Sequence, residues 1–210
     1  MIAFWNNFTG VILSGGKSSR MGKDKGAILY YGKPLICHGI DALLNVFPRV
    51  LIIQDKPGHY ETVLKEFNIL KTYGKKLQFI CDDLPYQGPI VGLKMACQVL
   101  YPNPMFVIAC DMPWVKFELI SFLCSQFRNQ KMAVVPLVAG IFQPLCSSYN
   151  SALVRDLLLN EVFHSPFDFI KKYEQNMEIL REETLRKFDP QLKTFANFNH
   201  PEDLIPSQSL

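Results

Sequence analysis

The residues best suited to chemistry lie directly behind the first apolar run, in Leu13-Ser14-Gly15-Gly16-Lys17-Ser18-Ser19-Arg20-Met21-Gly22-Lys23-Asp24-Lys25. Paired glycines can take positive φ and let backbone N–H groups approach an anion, while Lys17, Arg20, Lys23 and Lys25 concentrate positive charge beside them. A polyphosphate suits that environment. Two commoner phosphate loops do not fit. A P-loop would need glycine at position 11, where the chain has Val11 with Gly10 one residue off, and GxGxxG fails because Gly15 and Gly16 are adjacent. On shape alone, the stretch can also be read as a solvated turn whose charges serve solubility.

A second reactive group closes the apolar run Met105-Phe106-Val107-Ile108-Ala109-Cys110, which leads into Asp111-Met112-Pro113. Pro113 cannot donate to a ladder, so the strand must stop there and leave Asp111 at its carboxyl end. A carboxylate so placed can hold Mg²⁺, which binds one or two carboxylates together with phosphate oxygens and waters. The competing reading is a helix N-cap or a turn aspartate ahead of a helix over 116–127. Upstream, Asp82 follows another apolar run, and Gly88-Pro89 with Gly92 can either shape a binding turn or simply punctuate a helix. Near the end, Asn197 and Asn199 fall on one side of an extended segment ahead of Pro201.

These groups need a scaffold, and the apolar pattern supplies one. Short apolar runs at 10–13, 50–53, 77–81, 105–110 and 132–138 alternate with helical patterns at 34–47, 59–67, 89–100 and 116–127. Strands apolar on both faces between helices predict a doubly wound α/β fold: a mostly parallel sheet with helices on both faces, binding ligands beyond the carboxyl ends of its strands. Further strands at 141–149 and 177–182, and helices at 151–161 and 166–173, are expected to extend the same sheet. One domain over 1–205 is expected, with 206–210 as a mobile tail.

Bulk properties narrow the function classes. With 49% hydrophobic and 20% charged residues among 210, the chain reads as globular. Its net charge of +3 does not suggest a nucleic-acid surface. The segment 132–146 is interrupted by Pro136, Gly140 and Pro144 and is too short for a bilayer span. No secretory pattern opens the chain, and the six cysteines form no CxxC pair, so reduced core thiols and a cytoplasmic location are expected. The four histidines give no zinc spacing.

The pattern L-x-G-G-x-S-x-R-M-G-x-D-K at 13–25 resembles the signature of the molybdenum cofactor guanylyltransferases, whose fold is that of nucleotide-diphospho-sugar transferases. The stretch 79–93 resembles that family's strand, acidic residue and G-P-x-x-G element, 110–113 its C-D-x-P, and 197–204 its N-x-N-x-P-E-D-L. The resemblance implies transfer of GMP from GTP to the terminal phosphate of the molybdopterin cofactor, with Mg²⁺ as cofactor. It places Leu13, Ser14, Gly15, Gly16, Lys25, Gln54, Asp82 and Asp111 on the nucleotide, and Gly88, Asn197 and Asn199 on the second substrate. Lys25, Arg20 and Asp111 become the catalytic set, with Asp111 the metal ligand. Transient contact with cofactor-insertion or acceptor proteins is a further implication. The chain departs from the family at Gln54 and His200, where asparagine and threonine are usual, and over 160–168, which lacks the arginines common there. A transferase using CTP or a sugar or alcohol phosphate, and a non-catalytic nucleotide- or pterin-binding module, remain open alternatives.

Overall fold

The computed structural model describes residues 7–14, 25–81 and 88–196. The first half alternates strand and helix: β1 (Thr9–Ser14), a small hairpin of β2 (Leu29–Tyr30) and β3 (Lys33–Pro34), α1 (Leu35–Leu44), β4 (Val50–Gln54), α2 (His59–Glu66), α3 (Ile69–Tyr73) and β5 (Leu77–Cys81). Then come α4 (Pro89–Leu100), β6 (Pro104–Ala109), α5 (Phe117–Ser125), β7 (Ala133–Val138), β8 (Ile141–Phe142), β9 (Cys146–Asn150), α6 (Ser151–Asn160), α7 (Pro166–Tyr173), β10 (Glu178–Arg181) and α8 (Glu182–Leu185).

Alternation along the strands builds two cores. Ile12, Val50, Ile52, Phe106 and Ile108 point to the side covered by α1, α2 and α5. Val11, Leu13, Leu51, Ile53, Met105 and Val107 point to the side covered by α4, α6 and α7. Both faces are thus dry, which is why the strands read as unbroken apolar runs.

The main sheet runs β5-β4-β1-β6-β9-β7-β10, with β8 paired to β7. β5, β4, β1 and β6 are mutually parallel, β10 is parallel to β7, and β9 lies antiparallel between β6 and β7. The chain winds outward from β1 through β4 to β5, then crosses back to β6 on the other flank of β1. That reversal is the switch point beyond which open α/β sheets bind ligands.

The doubly wound, mostly parallel sheet is therefore as expected, and the later third does extend it. The single strand expected over 141–149 is divided. Ala139 and Gly140, at φ 48° and 74°, turn β7 back into β8, and the Gln143 N–H donates to Pro136 O before β9 begins at Cys146. The tail at 206–210, and the extended segment of Asn197 and Asn199 ahead of Pro201, lie outside the described residues. No helix among the described residues is long and apolar enough to cross a membrane. No disulfide joins the six cysteines, and burial pushes the thiols of Cys97, Cys124 and Cys146 far up and that of Cys37 up to about 12.

Candidate functional site

The site takes shape where β1, β4 and β6 end together. Register pairs Leu13 with Ile53 and Ala109, and Ser14 with Gln54. One further ladder bond, from the Cys110 N–H to Leu13 O at 3.2 Å, carries β6 to the residue before Asp111. Asp111 is thus the first side chain beyond the sheet. The helix-cap reading of Asp111 does not hold, because α5 starts at Phe117 with Lys116 in the cap position.

Lys25 opens a 3-10 turn, Lys25–Ala27, and its Nζ lies 3.0 Å from Asp111 Oδ2, with the two side chains 26% and 13% exposed. The partners are 86 residues apart in sequence, so the fold alone brings them together. Such a pair, partly open to solvent, contributes only about 1 kcal/mol to stability. Its chemical content is larger. Phosphate oxygens arriving at this edge would compete for the ammonium, and the carboxylate released would be offered to a divalent cation.

Ser14 and Gln54 are both buried, and their side chains are engaged from the start of α2. The Ser14 hydroxyl is hydrogen-bonded to the Tyr60 hydroxyl. Gln54 Oε1 accepts the Tyr60 backbone N–H at 3.0 Å, and Gln54 Nε2 donates to Glu61 Oε2 at 2.9 Å. A helix leaves its first N–H groups without partners, and Gly58, the cap residue of α2, has no side chain to serve them. Gln54 does so from the neighbouring strand.

Gly88, at φ 83°, precedes Pro89 at the first turn of α4, and its carbonyl accepts the Val91 N–H at 3.2 Å. Gly92 faces the sheet closely: a Cβ there would sit 3.2 Å from Leu13 Cδ2 and 3.7 Å from Ile53 Cγ2. Gly92 therefore lets α4 lie flat over the ends of β1 and β4.

Behind Asp111, the loop to α5 is tied down at several points. Trp114 Nε1 donates to Tyr30 Oη at 3.0 Å. Thr194 Oγ1 donates to Trp114 O and accepts the Lys116 N–H, both at 3.3 Å. The fully buried Asp189 carboxylate accepts the Thr194 N–H at 2.7 Å and faces Lys116 Nζ at 3.1 Å. Burial alone would raise the Asp189 carboxyl; the Thr194 N–H and the Lys116 ammonium outweigh it and hold the group below its ordinary value. A groove of about 660 Å³ runs beside this loop, lined by Lys33, His38, Pro113, Lys116 and Lys187 among others, and neither Lys25 nor Asp111 lines it.

The sequence profile of the MobA-like NTP transferase domain matches residues 10–172, a span that contains both Lys25 and Asp111. The chain belongs to that family. Among its relatives, the probable molybdenum cofactor guanylyltransferase of Halalkalibacterium halodurans is 31% identical over 93% of this chain and 94% of its own length. That of Clostridium perfringens (strain ATCC 13124) is 28% identical over 95% and 96%. Among solved structures, molybdopterin-guanine dinucleotide biosynthesis protein A from Archaeoglobus fulgidus is similar with a TM-score of 0.71 at 24% identity, covering 93% of this chain and 94% of that one. A 4-diphosphocytidyl-2C-methyl-D-erythritol synthase from Anaerococcus prevotii has the same fold, with a TM-score of 0.69 at 13% identity over 96% and 95%.

In this MobA-like NTP transferase domain, the residues named from the sequence divide into two groups. Leu13, Ser14, Lys25, Gln54 and Asp111 gather at one edge, and Gly88 begins the helix that packs on it. Gly15, Gly16, Arg20, Asp82, Asn197 and Asn199 lie outside the described residues. Tyr60, Trp114, Thr194 and Asp189 were missed. Their only sequence signals were an aromatic at a helix start, a tryptophan three residues past Asp111, and polar residues in a late segment.

Among the described residues, no three His, Cys, Asp or Glu side chains form a metal cluster. Among the described residues, the edge offers the hard Asp111 carboxylate, whose Oδ2 carries the Lys25 pair. That donor chemistry fits a magnesium ion shared with substrate phosphates and waters, and does not fit an all-protein cage.

Proposed function

We propose that this chain is a magnesium-dependent molybdenum cofactor guanylyltransferase, which transfers GMP from GTP to the terminal phosphate of the molybdopterin cofactor and releases pyrophosphate. The observation that carries the reading is the Lys25–Asp111 pair, 3.0 Å apart at the switch point between β1 and β6. The names borne by the full-length relatives supply the choice of acceptor and base.

In this reading an oxygen of the acceptor phosphate bonds to the α-phosphorus of GTP as the bond from that phosphorus to the β-phosphate bridge breaks. Transfers of this kind depend on alignment and on stabilising charge at the phosphoryl oxygens, so no covalent nucleophile is required. The Lys25 ammonium would leave Asp111 for the departing pyrophosphate, and Arg20 would add a second positive charge. Asp111 would hold the metal. Bound there, Mg²⁺ would neutralise charge on the phosphate oxygens. Leu13, Ser14, Gly15, Gly16, Gln54 and Asp82 belong to the nucleotide side of the proposal, and Gly88, Asn197 and Asn199 to the acceptor side. The reaction is placed in the cytoplasm, with transient delivery of product to cofactor-insertion or acceptor proteins.

A second reading has one observation in its favour: the sheet is shared with the diphosphocytidyl-methylerythritol synthase, so the fold itself does not select the base. One assay separates the two. Purified protein is mixed with Mg²⁺, molybdopterin cofactor and GTP, CTP or ATP in turn, and pyrophosphate is measured. Release with GTP alone is expected; release with CTP alone would move the chain to cytidylyl transfer, and nucleotide binding without release would make it a binding module.

A further inference from the structure

One buried phenol touches the two backbone segments that frame Lys25 and β1. Tyr60 has no exposed surface, and its hydroxyl is bonded to the Ser14 hydroxyl at the last residue of β1. The same ring lies under Gly26, the residue after Lys25. A Cβ on Gly26 would fall 3.0 Å from both Cε1 and Cζ of Tyr60 and closer still to its hydroxyl oxygen, inside any tolerable contact. Gly26 does not adopt positive φ, so steric room, and not backbone conformation, is what its missing side chain provides. The phenol is itself held in place, because Gln54 ties the Tyr60 N–H to the end of β4 and reaches on to Glu61.

We propose that Tyr60 is a positioning residue: it sets the height of the Lys25–Gly26 backbone above the end of β1, and so aims the Lys25 ammonium at the space in front of Asp111. The proposal rests on the role given above to Lys25 and Asp111. A lysine on an unsupported turn would wander over its long side chain, and misplacement of a charged group by about 1 Å can cost about 10²-fold in rate. If Tyr60 only filled the core, phenylalanine would replace it without effect on Lys25, since it occupies nearly the same volume.

The test uses Tyr60→Phe, Gly26→Ala and the double variant of the full chain, read in two ways. First, without nucleotide, each lysine is acylated with an amine reagent and its rate followed by mass spectrometry, with the exposed Lys71 on α3 as internal reference. Both single variants should raise the Lys25 rate by about threefold or more, as its ion pair with Asp111 loosens. The double variant should show less than the product of the two effects, because losing the hydroxyl removes the closest clash with the new methyl. Second, Tyr60→Phe should lower kcat for pyrophosphate release by about tenfold and leave KM for GTP within about threefold. Wild-type Lys25 labelling in both single variants, multiplicative effects in the double variant, or an unchanged kcat in Tyr60→Phe would overturn the proposal. Should the wild-type protein release pyrophosphate from no nucleotide, the reading of the function falls, and the labelling still decides the role of Tyr60.

Discussion

Lys25→Ala separates catalysis from stability at the centre of the site. Lys25 Nζ and Asp111 Oδ2 are 3.0 Å apart, with side chains 26% and 13% exposed. At that distance the bare attraction in an effective dielectric of about 20 is about 5.5 kcal/mol. Solvent screening and the entropy of fixing a long side chain reduce the measured worth of such pairs to about 1 kcal/mol. For a chain of this size that corresponds to a fall of about 2–4 °C in the thermal midpoint. The kinetic effect is expected to be much larger, because loss of one preorganised donor to developing charge costs about 10²–10³-fold in turnover, or about 2.7–4 kcal/mol. Circular dichroism melts and pyrophosphate release, measured on the same preparations, give the two quantities. Turnover at the wild-type level, or a loss no greater than the change in stability implies, would refute the role of Lys25.

Asp111→Asn keeps the shape of the side chain and removes the charge a metal needs, so Mg²⁺-dependent turnover should be lost; full activity at ordinary Mg²⁺ would move the metal elsewhere. Asp189→Asn should destabilise the fold by about 2 kcal/mol at neutral pH, since it weakens bonds to a buried charge. The folded carboxyl lies below its unfolded value of about 3.9, so this difference between wild type and variant should be complete above that pH and shrink as pH falls through the folded value. Denaturant titrations from neutral to acidic pH measure it, and a gap that widened in acid would contradict the bonding described for Asp189. Gly92→Val should cost about 2–3 kcal/mol in the same titrations by forcing α4 away from Leu13 and Ile53; an unchanged midpoint would show that the helix has room to spare.

Most of the scaffold was legible because dry strands have no polar face to hide. β1, β4, β6 and β7 are apolar runs bounded by glycine, proline or charge, and their edges fell within a residue or two of expectation. β9 was harder to read. Its sequence, Cys-Ser-Ser-Tyr-Asn, is largely polar although every residue is buried, because some of its hydroxyls are satisfied locally: Ser147 Oγ donates to Gln143 O and Tyr149 Oη to Pro144 O. Its antiparallel placement between β6 and β7 depends on register, which periodicity does not encode. Lys25 and Asp111 could be named singly from their loops, whereas their 3.0 Å approach is a property of the parallel crossover. The contacts of Tyr60 and Asp189 could not be read at all. Each joins elements distant in sequence, Tyr60 to Ser14 through a hydroxyl and Asp189 to Lys116 through a carboxylate, and no local pattern records which partner a buried polar atom will meet.

The proposed reaction requires one triphosphate at the carboxyl edge of β1, between Lys25 and Asp111. It is tested most directly by a crystal structure with Mg²⁺ and a GTP analogue whose α–β bridge resists cleavage. Phosphate oxygens within hydrogen-bond reach of Lys25 Nζ, and a magnesium ion about 2.1 Å from an Asp111 carboxylate oxygen, are expected. A nucleotide seated in the groove beside Lys116 and Lys187, with Lys25 still paired to Asp111, would contradict it.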